Sequence, residues 1–334
     1  MPNAGDGVRT SVLPSLSYAG QATGDLVLKR MFWMPALMVM LSPYLAAQSM
    51  QEGQVPRDGF ILHYRTTGSG RSLLLLSGGP GIDVDYMTPI AAELSRSYST
   101  ILLEQRGTGR SRPKTLTPEN LNLRLLVEDI EALRTSIGAD RLLILGHSWG
   151  GVLALAYASA HPERVDSIIL VASGGIDGSF APVFMDNILA RASMSERRKI
   201  QELGAVLGHA AEKQAAWTDL LHMLVPYYFF DRELGEKFIS AANPGSFHPD
   251  TSQLLQEDIL KNYHVGEELK RLRRPVLILQ GHQDPMPESV AEQTHAIIQG
   301  SQLAFLNRCG HFPWLEQPSA FYEQVRSFLE AAQK

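Results

Sequence analysis

Five residues, Gly146-His147-Ser148-Trp149-Gly150, constrain what this chain can fold into more than any other segment. They follow the apolar run Leu142-Leu143-Ile144-Leu145 and precede the alanine-rich stretch Val152 to Ala160, an order that reads as strand, tight turn, helix. A serine on such a turn must take a sparsely populated backbone conformation, and glycines two residues to either side remove the side chains that would clash there. The hydroxyl is then held in the open beside the first amides of a helix, where developing negative charge meets N–H donors and the positive end of the helix dipole. Ser148 therefore reads as a nucleophile.

The rest of the chain supplies a matching scaffold. From Phe60 onward, short apolar runs alternate with helical patterns, the signature of a mostly parallel sheet covered on both faces. Phe60 to Thr66, Leu73 to Leu76, Thr100 to Leu103, Leu142 to Leu145 and Ser167 to Val171 read as strands. Thr117 with Pro118 predicts a capped helix start, Leu126, Ile130, Leu133 and Ile137 recur at helical spacing, and Gly138 stops the helix. From about Ile176 to Leu269 the pattern is helical and strand-poor. A capping box opens at Ser193-Met194-Ser195-Glu196, and the aromatic cluster Tyr227 to Phe230 reads mainly as core packing, with part of it able to line a pocket. Alternation resumes with a strand at Val276 to Leu279, a helix near Glu288 to Ile298, a strand at Leu303 to Leu306 and a last helix at about Ala320 to Ala332. The expected architecture is an α/β core in two pieces, 55–176 and 269–334, with a helical cap over 177–268 and a leader over 1–54.

Composition narrows the partners. The hydrophobic content of 44% suffices for a buried core, while a net charge of −5, with no Lys/Arg cluster interleaved with aromatics, gives no footing for nucleic acid. A lone Cys309 excludes an internal disulfide, and without a His-Glu-x-x-His run or Cys/His pairing no metal or other cofactor is expected. Lys29-Arg30, the apolar stretch Met31 to Leu41, Pro43 and then Ala46-Ala47 follow the order of a secretory signal. Export is the expectation, and the same apolar segment would be a short membrane anchor if retained.

A serine hydroxyl needs a base, and the base needs an acid to fix its tautomer. Gly281-His282-Gln283-Asp284 follows the strand ending at Leu279, and Cys309-Gly310-His311 follows the strand ending at Leu306, so both loops fall at the sheet edge that carries Ser148. The order Ser148, Asp284, His311 is the one expected on an α/β-hydrolase sheet. His282 reads as a loop residue, His147 as packing, and Cys309 as no part of a thiol pair. For the oxyanion, the Trp149 N–H opens the helix, and Ser77-Gly78-Gly79-Pro80-Gly81 lets backbone line a site, with the Gly79 N–H as second donor.

These residues resemble the α/β-hydrolases, and within them the proline iminopeptidase and tricorn-interacting aminopeptidase group. The matching pieces are Gly78-Gly79-Pro80-Gly81, Gln105-Arg106-Gly107-Thr108-Gly109-Arg110-Ser111, Ser148-Trp149-Gly150 with Ala154 to Ala158, and His161-Pro162-Glu163-Arg164-Val165. The resemblance covers roughly Gly59 to Leu329. It implies Ser148 as nucleophile, Asp284 and His311 as its partners, Gly79 and Trp149 as oxyanion hole, and a small-molecule or short-peptide substrate. The chain departs from the group at Ser77, where His is usual, and at Glu104, where Asp is usual. It also lacks the cap glutamate of the Trp-Ser-x-Trp-Glu motif, for which Glu196, Glu202, Asp219 and Glu233 are the available substitutes. The expected activity is cleavage of a small amide or ester through an acyl-enzyme, iminopeptidase-like in its favoured form. The alternatives are a carboxylesterase, lactonase or carbon–carbon bond hydrolase, and more remotely a non-catalytic receptor. N-terminal sequencing of the mature protein is expected to begin just past Ala47; an intact Met1 on a cytosolic protein would overturn export.

Overall fold

Apolar runs of four to six residues without polar alternation suit strands covered on both faces. The computed structural model describes residues 50–207 and 213–332 and gathers these runs into one sheet of eight strands among those residues. The strands are β1 (Gln51–Arg57), β2 (Phe60–Thr67), β3 (Ser72–Leu76), β4 (Ser99–Leu103), β5 (Leu142–His147), β6 (Val165–Val171), β7 (Val276–Gly281) and β8 (Gln302–Leu306). Their spatial order is β1-β2-β4-β3-β5-β6-β7-β8. β2 runs antiparallel to both of its neighbours, and every pair from β4–β3 to β7–β8 is parallel. The carboxyl ends of β3, β5, β7 and β8 therefore open on one edge, which is where an open α/β sheet binds ligands.

Helices α1 (Thr88–Leu94), α2 (Leu123–Ser136) and α3 (Trp149–Ala160) fall in the first half. Between β6 and β7 come α4 (Phe180–Arg191), α5 (Met194–Leu207), α6 (Lys213–Leu224), α7 (Arg232–Ala241), α8 (Pro249–Asn262) and α9 (Gly266–Leu269). α10 (Glu288–Ile297), α11 (Pro313–Glu316) and α12 (Pro318–Ala331) complete the chain. Successive strand residues point to opposite faces. Leu74, Leu76, Ile144, Ile168 and Ile278 pack with α2, α3 and α10, whereas Leu73, Leu75, Leu143, Leu145 and Leu277 pack with α1 and α12.

Three features differ from the sequence expectation. Residues 51–54, assigned to the leader, belong to β1; this edge strand buries only Val55 in the core and so carries no apolar alternation to read. Thr117 and Pro118 start a turn rather than a helix, because the Asn120 side chain accepts the Thr117 N–H at 2.9 Å, and α2 begins later, where Asn122 accepts the Leu125 N–H at 3.1 Å. The stretch 177–268 is not all cap: Leu255, Ile259 and Leu269 on α8 and α9 join the core against α2 and α3, while Ile188, Ile200, Leu220 and Leu224 form a separate cluster within α4 to α6. The capping box matches its geometry, with the Ser193 N–H donating to Glu196 Oε2 at 2.8 Å. A short stem joins this insert to the sheet, through the Asp177–His264 bridge and the Val265 N–H donating to the Ile176 carbonyl at 3.0 Å. The apolar stretch Met31 to Leu41 and Ala46-Ala47 lie outside the described residues, among which no helix is long and apolar enough to cross a membrane.

One polar clamp ties α2 to α3 at the side of the core. Glu131 accepts two hydrogen bonds from Arg134, at 2.7 and 2.9 Å, and one from the Tyr157 hydroxyl at 2.8 Å. Arg134 first, then Tyr157, hold the Glu131 carboxyl down at about 2 against the opposing effect of burial. A carboxyl whose value is lowered on folding stabilises the fold above its unfolded value and loses that contribution as pH falls through its folded value. After solvent screening the clamp is worth about 1 kcal/mol. Glu131→Gln is expected to lower the melting temperature near pH 7 by about 2 °C. The gap between parent and variant should close as pH falls from about 4.5 toward about 2, read by circular dichroism.

Candidate active site

The turn between β5 and α3 places Ser148 at φ 54° and ψ −117°, a region where an L residue is strained by its own Cβ. Two close approaches impose it. A Cβ on Gly146 would lie 2.3 Å from the Gly150 carbonyl oxygen, and one on Gly150 would lie 2.1 Å from the Leu76 carbonyl oxygen. Glycine at both positions lets α3 settle against β5 and β3 together. The Ser148 N–H donates to the Val171 carbonyl at 2.9 Å, which anchors the turn to β6 as well.

Asp284 and His311 come from the loops after β7 and β8, which are neighbouring strands. His311 Nδ1 donates to Asp284 Oδ1 at 2.8 Å, and the same oxygen accepts the Met286 N–H at 2.8 Å. The two side chains are 3% and 0% exposed. With Nδ1–H given to the carboxylate, Nε2 carries the lone pair that a general base requires. Ser148 and His311 line one cavity. Among the described residues no hydrogen bond joins the Ser148 hydroxyl to His311, a contact of the kind that tightens when substrate is bound.

Gly78, Gly79 and Trp149 line the same cavity. The Gly78 N–H is taken by the Tyr86 hydroxyl at 2.5 Å, whereas the Gly79 N–H has no hydrogen-bond acceptor among the described residues. Gly79 has φ 125°, a conformation that favours glycine. Trp149 is the first residue of α3, so its N–H has no acceptor within the helix. Ser77 and the Gln-Arg-Gly motif act as scaffold. Gln105 Nε2 donates to the Ser77 carbonyl at 2.9 Å, and the Trp149 indole donates to Gln105 Oε1 at 2.9 Å. Arg106 makes a two-bonded pair with buried Asp129, both contacts at 2.7 Å.

Of the remaining candidates, His147 lines the cavity and His282 and Cys309 do not. His282 bonds Glu288 at 2.7 Å on the surface, and the buried Cys309 thiol is pushed up by desolvation, which keeps it protonated. His147 is buried as expected, yet it is bonded at both nitrogens, to the Tyr86 hydroxyl at 2.8 Å and the His311 carbonyl at 2.9 Å. Tyr86 carried no local signal, since its partners lie 8 and 61 residues away. Glu316, which the sequence reading passed over, accepts the N–H groups of Gly310 and Phe230 at 2.7 Å each and so joins the His311 loop to the cap.

The cavity has a volume of about 650 Å³ and an apolar wall drawn largely from the cap, including Phe184, Trp217, Leu220, Leu224 and Tyr228. Among the described residues its lining carries two carboxylates, Asp83 and Asp85. Asp83 is occupied by His248 at 2.8 Å and the Gly109 N–H at 2.7 Å, and Asp85 pairs with Arg65. None of Glu196, Glu202, Asp219 and Glu233 lines it. Glu196 is instead held by Arg232 at 2.5 Å, and Glu233 by Lys237 at 2.7 Å.

A family model described as alpha/beta hydrolase fold matches residues 71–318. Among curated relatives, a proline iminopeptidase of Saccharolobus solfataricus is 26% identical over 276 residues, covering 80% of this chain and 87% of the relative. A 2-hydroxy-6-oxononadienedioate/2-hydroxy-6-oxononatrienedioate hydrolase of Paraburkholderia xenovorans is 26% identical over 282 residues, covering 81% and 92%. Among solved structures, an alpha/beta fold family hydrolase from Bacillus anthracis aligns with a TM-score of 0.68 at 19% identity, over 84% of this chain and 99% of that one, a likeness of fold alone. With the match running from β3 through α11 and the sheet ordered as above, this chain belongs to the α/β-hydrolase family.

Proposed function

We propose that the chain is a serine hydrolase that forms an acyl-enzyme on Ser148 and acts on a small ester or amide whose acyl group is apolar and uncharged. The observation that carries this reading is the buried Asp284–His311 hydrogen bond, which presents a basic Nε2 to the cavity that Ser148 lines. His311 takes the proton of Ser148 as the serine oxygen attacks the carbonyl carbon. The carbonyl oxygen, now negative, is stabilised by the Gly79 and Trp149 amides, and the imidazolium by Asp284. Collapse expels the leaving group with the proton from His311. Water, deprotonated by the same imidazole, then releases the acid and restores the serine.

The cavity wall supports the choice of acyl group. Its size suits a small-molecule substrate, and its two carboxylates are already paired, so an ammonium entering it meets no unengaged anion among the described residues. Cleavage of an N-terminal prolyl residue is the second reading, supported by the curated proline iminopeptidases among the relatives.

Three experiments test these assignments. Ser148→Ala is expected to abolish labelling by a fluorophosphonate probe, and Asp284→Asn to lower kcat by about 10⁴ through the wrong imidazole tautomer. Labelling of Ser148→Ala at the parent rate would refute the nucleophile. In a panel of short- and medium-chain aryl esters against prolyl and alanyl arylamides, the esters are expected to give the higher kcat/KM by at least about tenfold, one tenfold step being about 1.4 kcal/mol of transition-state binding. Arylamide turnover exceeding ester turnover would replace the first reading by the second.

A further inference from the structure

Tyr86 and His147 are polar side chains beside the cavity that acyl transfer itself does not use, and each of their hydrogen bonds has a fixed direction. The His311 carbonyl can only accept, so His147 Nε2 carries the proton of their 2.9 Å bond. Burial, with the neighbouring His311 adding to it, holds His147 well below the ordinary imidazole range, so the ring is neutral and its Nδ1 is an acceptor. Nδ1 takes the Tyr86 O–H at 2.8 Å, and the Tyr86 oxygen accepts the Gly78 N–H at 2.5 Å.

The chain of bonds thus begins at the backbone of the oxyanion loop and ends at the backbone of the residue that carries the base. The other side of His311 is also gripped, its N–H donating to the Tyr228 carbonyl at 2.7 Å. Packing leaves little slack. Tyr86 stacks on Trp314 with centroids 6.1 Å apart, and the His147 ring lies 4.8 Å from both Trp314 and His311. We propose that Tyr86 and His147 are positioning residues whose hydrogen-bonded chain, from the Gly78 amide to the His311 carbonyl, fixes the oxyanion loop and the base relative to one another. This rests on the reading of Ser148, His311 and Gly79 given above.

Displacing a reacting group by a fraction of an ångström lowers turnover without weakening ground-state binding, because the misfit is felt at the developing oxyanion. Tyr86→Phe keeps the ring and removes both bonds. It is expected to lower kcat by about 10–100-fold, less than the loss of an oxyanion donor itself, with KM within about twofold. The affinity of an alkyl boronic acid, which mimics the tetrahedral adduct, should fall by the same factor as kcat/KM. His147→Gln, which keeps a donor toward the His311 carbonyl, should retain more activity than His147→Phe, which keeps neither bond. Nitrogen chemical shifts of His147 in the intact parent at neutral pH read the arrangement without turnover, and should show a neutral ring protonated at Nε2. A folded Tyr86→Phe with parental kcat, equal losses in His147→Gln and His147→Phe, or an Nδ1-protonated or cationic His147 would each overturn the proposal. Failure of the parent to label at Ser148 strikes the underlying reading instead, and leaves the nitrogen shifts to judge the dyad.

Discussion

The site depends on a strained peptide that its surroundings hold in place. Ser148 sits in a backbone region costing about 1–3 kcal/mol, and such a conformation persists only where packing over-determines it. The packing comes from α3, whose Val152, Leu153, Leu155 and Tyr157 are almost fully buried. Burying each of these side chains contributes on the order of 1.5–3 kcal/mol, so the four together outweigh the strain several times over. The contact surface exists because glycines at positions 146 and 150 let the helix come within backbone distance of β5 and β3. Sheet order does the rest: β3 lies beside β5, and β7 beside β8, so loops far apart in sequence deliver their groups to one edge.

His311 is held from the cap as well as from the core. Asp284 fixes its ring, the Tyr228 carbonyl takes its N–H, and Glu316 binds the amides of Gly310 and Phe230 at once. Burial raises the Glu316 carboxyl and those amides pull it only part of the way back, as for a half-buried carboxyl met by backbone donors. The turn that shapes the cavity wall at Tyr228 is therefore also part of the imidazole's mount. Under the proposed mechanism, a cap substitution near residues 228–231 acts on substrate fit and on proton transfer together.

The central strands were legible because continuous Leu, Ile and Val runs have few other uses, and the strained turn at Ser148 because its glycines and serine have a fixed spacing. Ser148, Asp284 and His311 follow chain order at strand ends; Ser148 and His311 line one cavity, and Asp284 hydrogen-bonds His311. What escaped was polar or long-range. β1 is an edge strand whose pattern says little, and Asn120 and Asn122 moved a helix start through side-chain bonds that propensity does not weigh. α8 and α9 carry the same helical pattern as the cap, and only their buried Leu255, Ile259 and Leu269 show that they serve the core. The role of Tyr86 was invisible because a tyrosine's hydrogen bonds are set by where the chain returns, not by its neighbours.

The stem of the helical insert has a consequence for how such a molecule changes over generations. The insert departs after β6 and returns before β7, which are adjacent parallel strands, and the ladder between Ile176–Asp177 and His264–Val265 closes its neck. Lengthening, shortening or exchanging the segment above that neck leaves the strand register untouched. Changes above the neck that spare Tyr228 and Phe230, whose backbone groups bind the His311 loop, can alter the cavity wall without moving that loop.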